Sequence, residues 1–275
     1  MKEYILPILI FLGFGALSGI LLLIASKVLA VKTDETEAKI TEALPGANCG
    51  GCGYSGCAGY AAAVAHDGAP TNLCKPGGAD VMKKINAIMG TEGGEFIREV
   101  AYVRCNGCEK ATKDRFTFTG TKSCAAVEKF YNGKGECRFG CDGYGDCAAV
   151  CSNDAITITD GVAVVDPAKC GGCGKCVTAC PNHLIFLRKE TRTVALRCSS
   201  KDSGKVTRTV CTNGCIGCRI CEKKCPHGAV IVADNHAVID YDKCTSCGTC
   251  VSACPRKCLV NITCTHSDKA EQADK

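Results

Sequence analysis

Residues 4–26 carry no charge, and Leu and Ile dominate the run. A stretch of that length reaches across a ~30 Å hydrocarbon core, so it predicts one transmembrane helix. Beyond it the patterning is short and broken. Residues 33–44 predict a helix that is acidic at its start, has Ile40 and Leu44 on one face and stops at Pro45-Gly46. Residues 58–65 predict a second, Ala-rich helix. Further on, the apolar runs have strand length: 155–158 with 162–165, and 229–232 with 237–239. Asp160-Gly161 and Asp234-Asn235 separate the members of each pair, which predicts two hairpins.

The apolar run has a rival reading as a secretory signal, since Lys2 precedes it and Val28-Leu29-Ala30 is a weak cleavage match. A signal core is usually only ~7–15 residues, and export would expose cysteines to an oxidising compartment. An anchor is favoured. Lys27 and Lys32 follow the span, which puts the C-terminal body on the cytoplasmic side of the cell membrane as a single-pass protein. Gly15 and Gly19 form a GxxxG that would let another helix approach closely. The span holds no ionisable residue, so this helix alone offers no path for an ion.

Composition changes the picture more than charge does. Of 275 residues 27 are Cys and none is Trp. Cysteines in tight CxxC groups suit a metal better than structural disulfides, and an odd count leaves a thiol over in any all-disulfide scheme. With 5% aromatic residues the body cannot build a large ordinary core, so metal must supply much of its folding free energy. The formal charge of +5 does not point to nucleic acid. An oxidised 4Fe–4S cubane with four thiolates carries about −2, and several of them reverse the sign.

The first group is Cys49-Gly-Gly-Cys52-Gly-Tyr-Ser-Gly-Cys57, followed by Cys74-Lys-Pro-Gly-Gly. Three ligands in a glycine-rich loop wrap one corner of a cubane, and the fourth returns after a helix. The glycines let backbone N–H groups approach the sulfurs and tune potential. Zinc is the alternative here, but its sites more often use two CxxC pairs. Cys170, Cys173, Cys176 and Cys180-Pro181 form a full C-x2-C-x2-C-x3-C-P run. So do Cys215, Cys218, Cys221, Cys225-Pro226 and Cys244, Cys247, Cys250, Cys254-Pro255. This is the bacterial ferredoxin run, in which the fourth Cys ligates the other cluster.

A shift of 74 residues lays Cys124, Cys137, Cys141, Cys147 and Cys151 on Cys198, Cys211, Cys215, Cys221 and Cys225. The same shift lays Cys170, Cys173, Cys176 and Cys180 on Cys244, Cys247, Cys250 and Cys254. The chain therefore reads as a duplicated two-cluster module. Cys218 falls on Tyr144, so the first module lacks its middle ligand and Cys137 is the natural substitute. The expected sets are Cys137, Cys141, Cys147 with Cys180; Cys170, Cys173, Cys176 with Cys151; Cys215, Cys218, Cys221 with Cys254; and Cys244, Cys247, Cys250 with Cys225. Cys105, Cys108, Cys124, Cys198 and Cys211 either form a further cluster between the modules or are reduced thiols, as Cys258 and Cys264 are expected to be. Five 4Fe–4S clusters follow, six if the spare cysteines bind one. The five histidines show no ligand-like spacing and read as surface residues. Lys122, Lys129, Lys134 and Arg138 read either as a solvated face or as a dock for an acidic ferredoxin.

An N-terminal anchor, the segment ANCGGCGYSGCAGYA with a later CxPGG, and tandem ferredoxin runs resemble the B subunit of the Rnf complex over nearly the whole chain. The resemblance implies a translocase: a membrane complex passing electrons between reduced ferredoxin and NAD+, coupled to Na+ or H+ movement. This subunit would take electrons from soluble ferredoxin and relay them to partner subunits carrying flavin, iron–sulfur centres and the NAD site. Shorter members have one two-cluster module and this chain looks like the extended form; the Tyr144 gap departs from a plain ferredoxin run. The expected fold class is α+β: an anchor over 1–32, a small helical 4Fe–4S domain over 33–92 and a connecting region over 93–136. Ferredoxin-like modules follow over 137–187 and 211–264, with a linker over 188–210 and a polar tail over 265–275. Outside the first cysteine group there is no G-x-G-x-x-G, and no P-loop or acid–base pair is present, so the subunit alone is an electron carrier with no catalytic residue of its own. The rival readings are an anchored polyferredoxin serving another dehydrogenase or hydrogenase and, in a different class, a zinc-binding scaffold.

Overall fold

The computed structural model describes residues 2–28, 34–92 and 94–262, with side chains of the first helix described from 11 to 24. Cys264 and the tail over 265–275 lie outside the described residues. Helix α1 (Lys2–Val28) is 27 residues long, and every side chain described in it is exposed. Among the described residues no helix is long and apolar enough to cross a membrane. The span expected over 4–26 extends past those side chains at both ends.

Three helices make the first unit. Helix α2 (Glu35–Ala43) starts where the Asp34 carboxylate accepts from Thr36 N, with Glu35 and Glu37 in its first turn. Helix α3 (Cys57–His66) begins where Asn48 Oδ1 accepts from Cys57 N at 2.8 Å. Helix α4 (Gly78–Met89), not expected from the sequence, ends on left-handed Gly90. Ile40, Tyr60, Val64, Val81 and Ile85 bury one face of each helix in a common core that includes Cys74.

Two αβ units follow. The first runs β1 (Glu99–Val103), α5 (Cys124–Tyr131), α6 (Asp146–Ala149), β2 (Ile156–Thr159), β3 (Val162–Val165), α7 (Lys175–Ala179) and β4 (Ile185–Lys189). The second runs β5 (Val194–Leu196), α8 (Gly204–Val210), α9 (Ile220–Lys224), β6 (Val230–Ala233), β7 (His236–Ile239), α10 (Thr249–Ser252) and β8 (Leu259–Asn261). Both expected hairpins are present, antiparallel, with Thr159 opposite Val162 and Ala233 opposite His236. Asp160-Gly161 and Asp234-Asn235 both take positive φ at the two turn positions, the type I′ geometry that matches strand twist. The remaining pairings are long-range. Strand β1, from the expected connecting region, pairs antiparallel with β4, and β5, from the expected linker, pairs with β8. Among the described residues every sheet has two strands, too few for independent stability. Each hairpin therefore packs on its neighbouring pair, burying Val100, Ile156, Val162, Leu184 and Ile185 in one unit and Val194, Leu196, Val230 and Leu259 in the other.

The loop ahead of α6 presses onto the β2–β3 turn. Gly143 has φ +70°, and a Cβ there would sit 2.4 Å from the Gly161 carbonyl oxygen. Gly217, ahead of α9, has φ +63° and meets Asn235 in the same way at 2.8 Å. Gly143→Ala combines left-handed strain with a backbone clash and is expected to cost more than about 2 kcal/mol. Gly228→Ala, at φ +58° with open space around it, carries the strain alone and is expected to cost about 1 kcal/mol. Thermal unfolding of the two variants measures the difference; equal losses would refute the close-approach argument.

Candidate iron–sulfur centres

The first thiol group is assembled by hydrogen bonds to one aromatic residue. Tyr60 donates its hydroxyl to Pro70 O at 2.7 Å and accepts from Leu73 N at 3.2 Å, which turns the 70–74 loop back toward α3. That return brings Cys74 to Cys57, Cys49 and Cys52, whose proximity adds to the burial that pushes the Cys74 thiol up.

In the first αβ unit Cys176 has Cys170, Cys173, Cys147 and Cys151 as thiol neighbours. The other set differs. A cavity of about 20 Å³ is lined by Cys141, Cys147, Cys180 and Cys124, not by Cys137. Cys137 lies instead on a separate, larger cavity of about 50 Å³ with Cys105, Cys198 and Cys211; Cys141 touches both. This lining differs from the set expected from the 74-residue shift, and the placement of Cys124 has a local cause. Asp146 accepts hydrogen bonds from Cys124 N (3.0 Å), Ala125 N (2.9 Å) and Ser123 Oγ (2.9 Å), while Ser123 Oγ accepts from Ala126 N. Every free amide of the first turn of α5 is thereby satisfied, and the helix start is pinned beside Cys147. Burial alone would raise the Asp146 carboxyl, but those donors outweigh it and hold it below the usual carboxylate range. The signal was present in the chain as a capping Ser123 ahead of an amphipathic segment, with Asp146 standing where the shifted copy has Ile220.

In the second αβ unit Cys215, Cys218, Cys221 and Cys254 line one cavity and Cys225, Cys244, Cys247 and Cys250 another. Cys258 also lines the first of these, 2% exposed, with its Sγ 3.5 Å from Cys254 Sγ. Its hydrogen bond pulls Cys254 down to about 5 and Cys215 to about 6, while Cys258 itself is pushed up. Elsewhere burial pushes the thiols up: Cys105, Cys137 and Cys221 to about 11, and Cys141, Cys147 and Cys176 to about 12. A thiolate is the ligating form, so metal uptake at these positions must release protons.

Backbone donors are aimed at the sulfurs. Cys151 accepts from Ala155 N and Cys225 from Ala229 N; Cys180 accepts from Leu184 N, Cys170 from Ala101 N and Cys244 from Ser246 N, at 3.3–3.4 Å. Such bonds stabilise negative charge on sulfur and tune a bound cluster. Among the described residues no group of three or more His, Cys, Asp or Glu is drawn together to hold a single metal ion. The thiols surround cavities instead, the spacing that ligation of separate irons in a cage requires.

Other expected positions are accounted for. His236 is buried, with Nδ1 3.2 Å from Asp234 O, and so departs from the surface reading of the histidines. Lys134 pairs with Asp114 at 2.9 Å and Arg138 with Asp202 at 2.7 Å, so these two cations are engaged within the chain.

Hairpin-based units with crossed cysteine sets and donors aimed at sulfur define a 4Fe–4S dicluster protein. The family described as "Putative Fe-S cluster" matches residues 44–76, and 4Fe-4S dicluster domain families match 136–184, 169–229 and 214–259. The chain is 40% identical to the B subunit of the ion-translocating oxidoreductase complex of Methanosarcina acetivorans, over 90% of this chain and 94% of that one. It is 43% identical to the B subunit of the Na(+)-translocating ferredoxin:NAD(+) oxidoreductase complex of Acetobacterium woodii, over 94% and 78%. To the proton-translocating counterpart of Clostridium ljungdahlii it is 36% identical, over 93% and 91%. The chain belongs to this family, the B subunits of Rnf complexes.

If Asp146 pins α5, Asp146→Ala removes a cap interaction of about 1 kcal/mol. Amide hydrogen exchange at Cys124 and Ala125 is then expected to rise roughly fivefold. Unchanged exchange at both amides would sink the assignment.

Proposed function

We propose that this chain is the electron-transfer subunit of an ion-translocating ferredoxin:NAD+ oxidoreductase, taking electrons from reduced ferredoxin and passing them to partner subunits. The observation that carries this reading is the succession of crossed thiol sets in a chain alignable over at least 90% of its length with B subunits of such complexes. The ligand sets are Cys49, Cys52, Cys57, Cys74; Cys124, Cys141, Cys147, Cys180; Cys151, Cys170, Cys173, Cys176; Cys215, Cys218, Cys221, Cys254; and Cys225, Cys244, Cys247, Cys250. Each 4Fe–4S group, when bound, supplies reversible one-electron chemistry.

The protein's own residues do the rest. Hairpins and short helices hold the thiols on rigid supports, the aimed N–H groups lower the cost of negative charge, and apolar side chains such as Ile156, Leu184 and Leu259 keep water off the sulfurs. The duplicated module is supported by hairpins at one spacing: β2 starts at Ile156 and β6 at Val230, β3 at Val162 and β7 at His236. Attachment to a membrane is supported by the exposed apolar side chains of α1, among them Phe11, Phe14, Leu17 and Leu22. The coupling ion, Na+ or H+, is handled elsewhere, since one unit charge against 100 mV requires ~2.3 kcal/mol and α1 offers no ionisable group between residues 4 and 26.

Two measurements test this reading. The full chain, purified without oxygen, is expected to carry at least about 20 Fe, show a reduced 4Fe–4S EPR signal and be reduced by ferredoxin. It should also co-purify with integral membrane subunits. A colourless, zinc-loaded chain, or one that ferredoxin cannot reduce, would refute it. The ligand revision makes a sharper prediction: Cys124→Ser loses about four irons per chain, and adding Tyr144→Cys, at the place of Cys218, restores them. Iron loss in Cys124→Ser that Tyr144→Cys fails to reverse would show that the two positions are not equivalent.

A further inference from the structure

Cys258 is a buried thiol that none of the five ligand sets uses. The 74-residue shift lays it on Leu184. Backbone hydrogen bonds make the two places equivalent: Arg197 N donates to Cys258 O at 2.7 Å, and Arg104 N to Leu184 O at 2.8 Å. Each residue immediately precedes the closing strand of its unit, Leu184 before β4 and Cys258 before β8. Both are sealed from solvent, at 1% and 2% exposure. Leu184 lines the cavity of Cys141, Cys147 and Cys180, and Cys258 lines that of Cys215, Cys218, Cys221 and Cys254.

The copies differ in what this side chain offers the sulfurs. Leu184 is an apolar wall. Cys258 carries an S–H, and its Sγ lies 3.5 Å from Cys254 Sγ, within reach of a hydrogen bond between sulfurs. Cys254 is the crossed ligand of its set, as Cys180 is in the first unit. Backbone donors serve both: Leu184 N donates to Cys180 Sγ at 3.4 Å, and the amides of Leu259 and Cys258 face Cys254. The Cys258 thiol is therefore a donor added to the second unit, with nothing at its place in the first.

The surroundings keep that thiol in its donor form. Cys258 shares a core with Val194, Leu196, Val230 and Leu259, where little water reaches it. A further thiolate beside four ligating ones would be both desolvated and repelled. A protonated thiol has one hydrogen to give, and ligand sulfur is the acceptor beside it. If the place needed only filling, leucine would serve, as it does in the first unit.

We propose that Cys258 is a positioning residue acting through Cys254: its S–H donates to Cys254 Sγ and raises the reduction potential of a cluster held by Cys215, Cys218, Cys221 and Cys254. An added electron increases the negative charge on the ligand sulfurs, so a donor there stabilises the reduced form more than the oxidised one. Cys258 makes no bond to iron, and no proton is transferred. The contribution makes this cluster easier to reduce than it would be with leucine at the same place.

The proposal rests on the electron-carrier reading, and its test separates the two. The full chain, purified without oxygen, is reduced stepwise while EPR follows each 4Fe–4S component. In Cys258→Leu, which copies the first unit, the iron count is expected to stay at the wild-type value. One component is expected to lower its midpoint, so that its reduced-to-oxidised ratio at the wild-type midpoint falls roughly threefold. Cys258→Ser keeps a donor and is expected to hold that midpoint. Leu184→Cys adds a donor beside Cys180 and is expected to raise a different component; it decides the matter if Cys258→Leu does not fold. An unchanged midpoint in either the Cys258→Leu or the Leu184→Cys chain would overturn the role of Cys258 and leave the carrier reading intact. So would an equal fall in Cys258→Ser and Cys258→Leu. Loss of about four irons from Cys258→Leu, with the other signals kept, would also overturn it by making Cys258 a ligand. A wild-type chain with no iron at all would overturn both readings.

Discussion

Buried thiols in this protein stand where leucine and valine stand in an ordinary small domain. In the second αβ unit five of the ten residues of the buried core are cysteines: Cys198, Cys215, Cys221, Cys250 and Cys258. A protonated thiol is tolerated there as a small hydrophobe. A row of thiolates is not, because burial disfavours the charged form and each neighbour adds repulsion. Cluster ligation resolves the conflict by neutralising the sulfurs and filling the space between them. Two-stranded sheets and helices of four or five residues are sufficient supports only on that condition.

The two αβ units correspond element by element through much of their length. The two modules keep hairpins, glycine approach and sulfur-directed amides at matching positions, as Gly143 with Gly217 and Ala155 with Ala229 illustrate. They differ where Tyr144 faces Cys218. Tyr144 stacks near Phe118, with Lys134 Nζ 5.4 Å from its ring centre, so the position has become an aromatic support rather than an empty one. Cys124 lines the cavity beside Cys141, Cys147 and Cys180, and the segment carrying it is held by Asp146.

The boundary of what the sequence discloses follows the range of the interactions. Type I′ turns are encoded within a few residues, so the hairpins were legible. The place of Cys124 beside Cys147 was not, because spacing along the chain ranks Cys137 first. Asp146, 22 residues beyond Cys124, fixes that place through side-chain hydrogen bonds to α5. Strands β1 and β5 were missed for a related reason. Each pairs with a strand more than 60 residues away, so segments that read as connector and linker are sheet members. The inter-unit cavity is the extreme case, since its thiols are more than 100 residues apart at the ends, Cys105 and Cys211.

Directing amides at sulfur leaves the same loops with carbonyls that need donors, and arginine meets this need at equivalent places. Arg98 donates to the carbonyls of Pro167 and Cys170, Arg192 to that of Cys244, and Arg256 to those of Gly214 and Cys211. Cys170 and Cys244 open the matching CxxC runs of the two modules. A guanidinium is suited to the task because its fork bridges several carbonyls at once and its charge is permanent. It also lowers the electrostatic cost of a cluster of net charge about −2 a short distance away. Replacing these arginines by lysine keeps the charge and loses the fork, so the loop geometry, more than the net charge of the chain, is what confines the residue type.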